Sequence, residues 1–85
     1  MAVVVVYSAD YCSYCKHACA LLERKNIPYT LIDVEETPDK REEMERLSGQ
    51  RTIPQIFING AHVGGYTDLV EWNKAGKLDR ALGLK

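Results

Sequence analysis

Residues 2–15 read AVVVVYSADYCSYC, a β-branched run followed by a short break and a Cys-x-x-Cys pair. The run from Ala2 to Tyr7 has no polar alternation, which is the pattern of a strand covered on both faces in a partly parallel sheet, so it belongs at the centre of that sheet. Ser8 to Tyr11 interrupt it. Tyr14, Ala18, Leu21, Leu22 and Lys25 then recur at helical spacing and predict a helix from about Ser13 to Lys25, ended by Asn26 with Pro28 shortly after. Cys12 therefore falls where a loop turns into a helix. A thiolate there meets unpaired backbone N–H groups and the positive end of the helix dipole, both of which favour the anion, and Cys12 is the candidate nucleophile. Cys15 lies one turn into the helix, close enough to bridge Cys12 but more buried and less reactive, as a resolving thiol would be.

Working outward, Tyr29 to Val34 (YTLIDV) alternates as a second strand, parallel to the first through a right-handed crossover. Thr37-Pro38 offers an N-cap and a proline at the first helical position, predicting a helix to about Ser48 that Gly49 stops. Glu36 with Lys40, and Glu42 with Arg46, have the favourable i,i+4 orientation and read as a solvated helix face. Gln55 to Ile58 (QIFI) is a third strand. Asn59-Gly60 is a two-residue hairpin signal, since both positions tolerate positive φ, so Ala61 to Gly64 runs back antiparallel as a fourth. Thr67 is placed to cap a last helix from about Asp68 to Ala75, Gly76 ends it, and a short helical turn around Leu78 to Leu82 closes the core. The expected class is α/β in the order βαβαββα: a four-stranded mixed β-sheet flanked by helices, forming a single domain over residues 1–85.

Composition narrows the function classes. With 85 residues, 46% hydrophobic and 27% charged, the chain has ordinary globular composition and room for one core. Eleven Lys and Arg against twelve Asp and Glu leave a formal net charge of -1, without the basic surplus that nucleic-acid binding requires. The apolar run Ala2–Tyr7 is far short of the roughly 18 residues that span a bilayer, and no positive stretch precedes it as in a secretory signal. The expectation is a cytoplasmic protein with no nucleic-acid or membrane partner. Three cysteines, two of them close together, suggest chemistry and not a disulfide scaffold.

Half of a zinc site shares the Cys-x-x-Cys spacing and would recruit Cys19 or His17. On a helix, however, residue 17 points about 200° away from residue 15, so those groups do not converge. A c-type haem site needs histidine directly after Cys15, where Lys16 stands. Ile53-Pro54 precedes the third strand, either as a bland edge feature or as a cis bond that turns the Ile53 backbone outward to pair with an extended peptide. Gly64-Gly65-Tyr66-Thr67-Asp68 reads either as a strand end with an N-cap, or as a site where close backbone approach and free N–H groups at residues 66 to 68 bind a carboxylate.

Over Val3 to Leu82 the chain resembles the glutaredoxins of the thioredoxin superfamily, through YSADYCSYC, REEMERLSGQRTIPQIFING and HVGGYTDL in family order and spacing. The resemblance implies a thioredoxin-like fold, a cis Pro54, and glutathione-dependent thiol–disulfide exchange with glutathione as co-substrate. It implies Cys12 as nucleophile, Cys15 as its partner, and Tyr14 lining the glutathione groove. Ile53 would pair its backbone with the cysteinyl part of glutathione, Thr67 and Asp68 would hold the γ-glutamyl end, and Thr52, Pro54, Gly65 and Tyr66 would complete the site. Arg41 falls where relatives reach the glycyl carboxylate, with Arg51 nearby on the loop. Glutathione carries two carboxylates, an amine and a thiol, and so suits cations at one end, N–H donors and an acid at the other, and a backbone edge between.

The chain departs from the family's pattern in four places. Ser8, Ala9 and Asp10 stand where many relatives carry a lysine before the nucleophile. Ser13 replaces a proline. Tyr66 replaces a cysteine whose role is mainly backbone, so little effect is expected there. Cys19 is an extra cysteine that reads as a small hydrophobe beside Ala18 and Leu22, with a regulatory thiol as the other reading. His17 on the exposed side of the helix and His62 on the fourth strand read as ordinary placements, while Trp72, Tyr7 and Tyr29 read as core or sheet-edge fillers.

The expected activity is reduction of protein disulfides and protein–glutathione mixed disulfides, by a monomer whose partners are glutathione and disulfide-containing or glutathionylated proteins. The alternative is a [2Fe–2S] carrier or sensor, in which Cys12 of each of two subunits and one bound glutathione per subunit hold a bridging cluster; Ser13 is the feature that raises it. A protein served by thioredoxin reductase instead of glutathione is a third reading.

Overall fold

The uninterrupted β-branched run becomes an interior strand. The computed structural model, which describes residues 2–83, arranges the chain as β1 (Val4–Ser8), α1 (Ser13–Arg24), β2 (Thr30–Asp33), α2 (Pro38–Ser48), β3 (Gln55–Ile58), β4 (Ala61–Gly64), α3 (Tyr66–Lys74) and α4 (Lys77–Ala81). The sheet order is β2-β1-β3-β4, with β1 parallel to β2 and antiparallel to β3, and β3 antiparallel to β4. Val6 thus pairs with Leu31 on one side and Ile56 on the other.

Because side chains alternate along a strand, β1 feeds two separate cores. Val4 and Val6 join Ala18, Leu21 and Leu22 of α1, Ile56 and Ile58 of β3, Leu69 of α3 and Leu78 of α4. Tyr7 and Phe57 point the other way, to Met44 of α2 and Val34, with Val5 and Ile32 packed beside them. Both faces being covered is why the strand shows no polar alternation. Among the described residues no helix is long and apolar enough to cross a membrane.

The hairpin forms at the expected dipeptide, with Asn59 at φ 52° and Gly60 at φ 83°. Beyond it the β3–β4 register shifts, Phe57 facing His62 while Ile56 faces Gly64, so that Val63 is an extra residue turned into the first core.

Three local expectations change. Helix α3 begins at Tyr66 with Gly65 as its N-cap, so Thr67 lies inside the first turn and does not cap it. The Asp68 carboxylate accepts the Gly65 N–H at 3.0 Å, and this reach-back bond moves the helix start toward the glycines. Thr37 does occupy the N-cap of α2, yet its side chain makes no capping bond. The ion pairs also differ from the i,i+4 spacing: Lys40 meets Glu43 at 3.3 Å and Arg41 meets Glu35 at 2.8 Å, because loop and neighbouring-turn carboxylates lie nearer. The closing turn is a short helix, α4, with Leu78 fully buried and Lys25 Nζ 2.9 Å from Asp79 Oδ1, tying the end of α1 to it.

Candidate active site

Cys12 is the N-cap of α1, in extended backbone at φ -88° and ψ 112°. Its Sγ accepts the Cys15 N–H at 3.2 Å, one of the donors a helix start leaves unpaired. As a thiol, the same sulfur donates toward the Ile53 carbonyl, 3.8 Å away. Upstream, the Cys12 N–H donates to Ala9 O at 3.2 Å and Ala9 is buried, so the chain turns tightly from β1 into α1 and leaves Cys12 half-buried at the surface.

Cys15 is different in kind. Only 2% of it is exposed, and burial first, then the hydrogen bond with Cys12, push its thiol from an ordinary 9.0 up to about 12, against a lowering contribution from the Ala9 backbone. It is held as a neutral thiol beside a better-exposed partner. Tyr7 rises likewise from 10.0 to about 12, through burial and the 2.6 Å hydrogen bond it donates to Glu43. In both groups the fold favours the protonated form. Above their unfolded values the native chain therefore holds protons that the unfolded chain has released. This contribution to stability is complete below the unfolded values and is lost as pH climbs through the folded ones. We expect the urea midpoint to fall steadily from about pH 9 to about pH 12, with a shallower fall in Cys15→Ser. A flat alkaline profile would contradict the assignment.

Beside Cys12 lies a groove of about 220 Å³. Helix α1 contributes Tyr14 to it. The loop before β3 contributes Gln50, Thr52, Ile53 and Pro54, and the β4–α3 junction contributes Gly65, Tyr66, Thr67 and Asp68. The Ile53–Pro54 bond is cis. Gly64 sits at φ 124°, where a side chain is strained, and a Cβ there would lie 2.3 Å from Asp68 Oδ2. That glycine is what lets the Asp68 carboxylate reach back to Gly65.

The structure thus gathers eight of the expected ligand residues into one groove, and leaves two outside its lining. Arg41 Nη2 pairs with Glu35, which also accepts the Tyr11 hydroxyl at 3.1 Å, and Arg41 Nη1 donates to the Arg51 carbonyl at 3.4 Å. The Arg51 side chain is 89% exposed beside Glu45. Sequence reading missed Gln50, a polar residue in a loop with no periodicity to single it out. It also underestimated Tyr66: the ring stacks on Tyr14 at 6.1 Å and lies 5.7 Å from His17, so it walls the groove with a side chain as well as backbone. His17 is exposed as expected. Cys19 packs at the edge of the first core, its thiol pushed up chiefly by burial. Trp72 packs there too, under Lys77 Nζ at 4.4 Å from its ring.

Comparison with known proteins gives a family and a fold. The glutaredoxin family model matches residues 4–63. A glutaredoxin of Pseudomonas aeruginosa is 43% identical over 79 residues, 93% of this chain and 94% of that protein. Glutaredoxin 3 of Escherichia coli K12 is 42% identical over 82 residues, 96% of this chain and 99% of its own length. Among solved structures, a buckwheat glutaredoxin–glutathione complex superposes with a TM-score of 0.87 at 32% identity, covering 94% of this chain and 76% of that one. The solution structure of a Brucella melitensis glutaredoxin does so at 0.80 with 47% identity, covering 91% and 84%. With its four-stranded thioredoxin-like sheet and its paired cysteines at a helix start, the chain belongs to the glutaredoxin family and has that family's thiol–disulfide oxidoreductase character.

Proposed function

We propose that this protein is a glutathione-dependent oxidoreductase that reduces protein–glutathione mixed disulfides and protein disulfides. One observation carries the reading: Ile53 both faces the Cys12 sulfur, through its carbonyl, and lines the adjoining groove. A disulfide whose glutathionyl half lies in that groove therefore brings its sulfur to Cys12. The Tyr66, Thr67 and Asp68 N–H groups open α3 with no side chain on Gly65 to cap them, which suits the γ-glutamyl carboxylate, and the Asp68 carboxylate suits its amine.

The Cys12 thiolate attacks the glutathionyl sulfur of a mixed disulfide. The protein thiolate leaves and takes up a proton, and Cys12 carries glutathione. A second glutathione thiolate attacks that disulfide, releasing oxidised glutathione and restoring the Cys12 thiolate. With a protein disulfide, Cys12 first joins one substrate sulfur. Cys15 then attacks the Cys12 sulfur, its proton passing to the departing substrate thiolate, and two glutathiones reduce the Cys12–Cys15 disulfide. This chemistry belongs to a reducing, glutathione-rich compartment such as the cytoplasm.

Among the described residues no three His, Cys, Asp or Glu side chains gather as a metal site. A bridged [2Fe–2S] cluster would take Cys12 from this chain and its remaining ligands from a second chain and from glutathione. Disulfide exchange needs only Cys12, Cys15 and glutathione as co-substrate, with no second chain, and is the reading adopted. The test is turnover of a glutathionylated peptide with glutathione, glutathione reductase and NADPH, against the same peptide with thioredoxin reductase and NADPH. We expect turnover only in the first mixture. Equal turnover in the second would overturn glutathione dependence.

A further inference from the structure

Gln55 is a fully buried amide whose every polar atom is engaged. Its Nε2 lies 2.9 Å from Thr52 O, 3.1 Å from Thr52 Oγ1 and 3.1 Å from Gln50 Oε1. Its Oε1 lies 2.6 Å from His62 Nε2 on the neighbouring strand. The orientation follows from the chemistry of one partner. A backbone carbonyl only accepts, so the amide must present its NH2 to Thr52, and its oxygen then faces His62. That oxygen in turn only accepts, so His62 must carry a proton on Nε2. The imidazole is held in place against Phe57, ring centroids 5.0 Å apart.

Gln50 and Thr52 line the groove, whereas Gln55 and His62 do not. The loop that carries them has no regular backbone pairing between Gly49 and Gln55, so the Gln55 amide is the buried anchor joining it to the sheet. We infer that Gln55, oriented by His62, is a positioning residue that fixes the Gln50–Thr52 wall of the groove and so sets its affinity for glutathionyl substrates. The inference rests on the glutathione reading above. Losing the amide leaves the Thr52 carbonyl and the Gln50 amide oxygen without their buried donor, and the wall keeps only its exposed ties, Ser48 to the Gln50 backbone and Arg41 to the Arg51 carbonyl, while Cys12, on α1, stays where it is.

The experiment measures kcat and KM for a glutathionylated peptide in wild type, Gln55→Met, His62→Phe and Val63→Ala, with NMR of the His62 ring nitrogens in the wild type. Gln55→Met keeps the volume and removes every polar contact. It should raise KM about tenfold while kcat at saturation stays within about twofold. His62→Phe keeps a ring against Phe57 and removes the donor, and should raise KM about threefold. Val63→Ala loosens the same strand through the core alone and should leave KM unchanged. The wild-type spectrum should show His62 protonated at Nε2.

A folded Gln55→Met with wild-type KM overturns the inference. If that variant fails to fold, His62→Phe with wild-type KM overturns it equally. An unprotonated Nε2 overturns the orientation assigned to the amide, and a KM rise in Val63→Ala as large as in Gln55→Met shows general loosening instead of positioning. Absence of any turnover in wild type would instead refute the glutathione reading, leaving the His62 spectrum to judge the network.

Discussion

Cys12→Ser is expected to lose glutathione-dependent turnover by at least about 1,000-fold, because a hydroxyl at the start of α1 is neither ionised nor able to form the disulfide intermediate. Cys15→Ser should separate the two reactions. Removal of glutathione from a mixed disulfide needs one thiol on the protein, so this variant should keep most of that rate. Reduction of an intraprotein disulfide needs the second thiol to release the substrate, and should fall sharply. The same asymmetry should appear in alkylation with iodoacetamide near neutral pH. Cys12 is half-buried at the helix start, with its sulfur accepting a backbone N–H, while Cys15 is buried and its thiol is pushed up to about 12. Mass spectrometry after brief alkylation should find label at Cys12 and little at Cys15. Equal labelling, or a Cys12→Ser protein that still turns over glutathionylated peptide, would remove the basis for naming Cys12 the nucleophile.

Gly64→Ala should be the most damaging substitution at a residue with no side chain to lose. The backbone there sits at φ 124°, a conformation that costs an L residue about 1–3 kcal/mol. The new methyl would also meet the Asp68 carboxylate at 2.3 Å, and moving that group breaks its 3.0 Å bond to the Gly65 N–H. Losing such a cap costs about 1 kcal/mol more. Together these predict a loss of roughly 2–4 kcal/mol, and for a domain of this size a fall in Tm of roughly 10–20 °C. KM for glutathionylated peptide should rise as well, since Asp68 lines the groove. In Gly64→Ala/Asp68→Ala the collision is relieved while the backbone strain remains, so the second substitution should cost less than it does alone. A single variant within about 0.5 kcal/mol of wild type would show that the strand end relaxes freely.

The strand, the hairpin and the limits of α1 and α2 are set by short-range chemistry: an unbroken β-branched run, an Asn-Gly pair that accepts positive φ, and a proline and a glycine bracketing a helix. Such signals need no knowledge of the rest of the chain. Helix α3 starts two residues before the position that Thr67 as a cap predicts, because its cap is not a local preference of Thr67. It depends on Asp68 turning back to Gly65, which only the conformation at Gly64 permits.

The site divides in the same way. Cys12 and Cys15 were assigned from position alone, since any residue at a helix start meets the same free N–H groups. Their inequality follows the same position, Cys15 lying one turn into the helix, and the fold sets its size: burial and the hydrogen bond with Cys12 push the Cys15 thiol up to about 12. Gln50 entered the groove, and Arg41 turned to Glu35, through contacts between segments distant in sequence or lying in irregular loops. Tyr66 acquired a side-chain role only when α1 brought Tyr14 alongside it. Local backbone preference and hydrophobic period therefore determine the element order, the interior place of β1 and the nucleophile's position at a helix start. That Gln50 joins the groove while Arg41 and Arg51 stay outside its lining, how far the Cys15 thiol is pushed up, and what orients the Gln55 amide are decided by tertiary packing, because burial and hydrogen-bond partners exist only once separate segments meet.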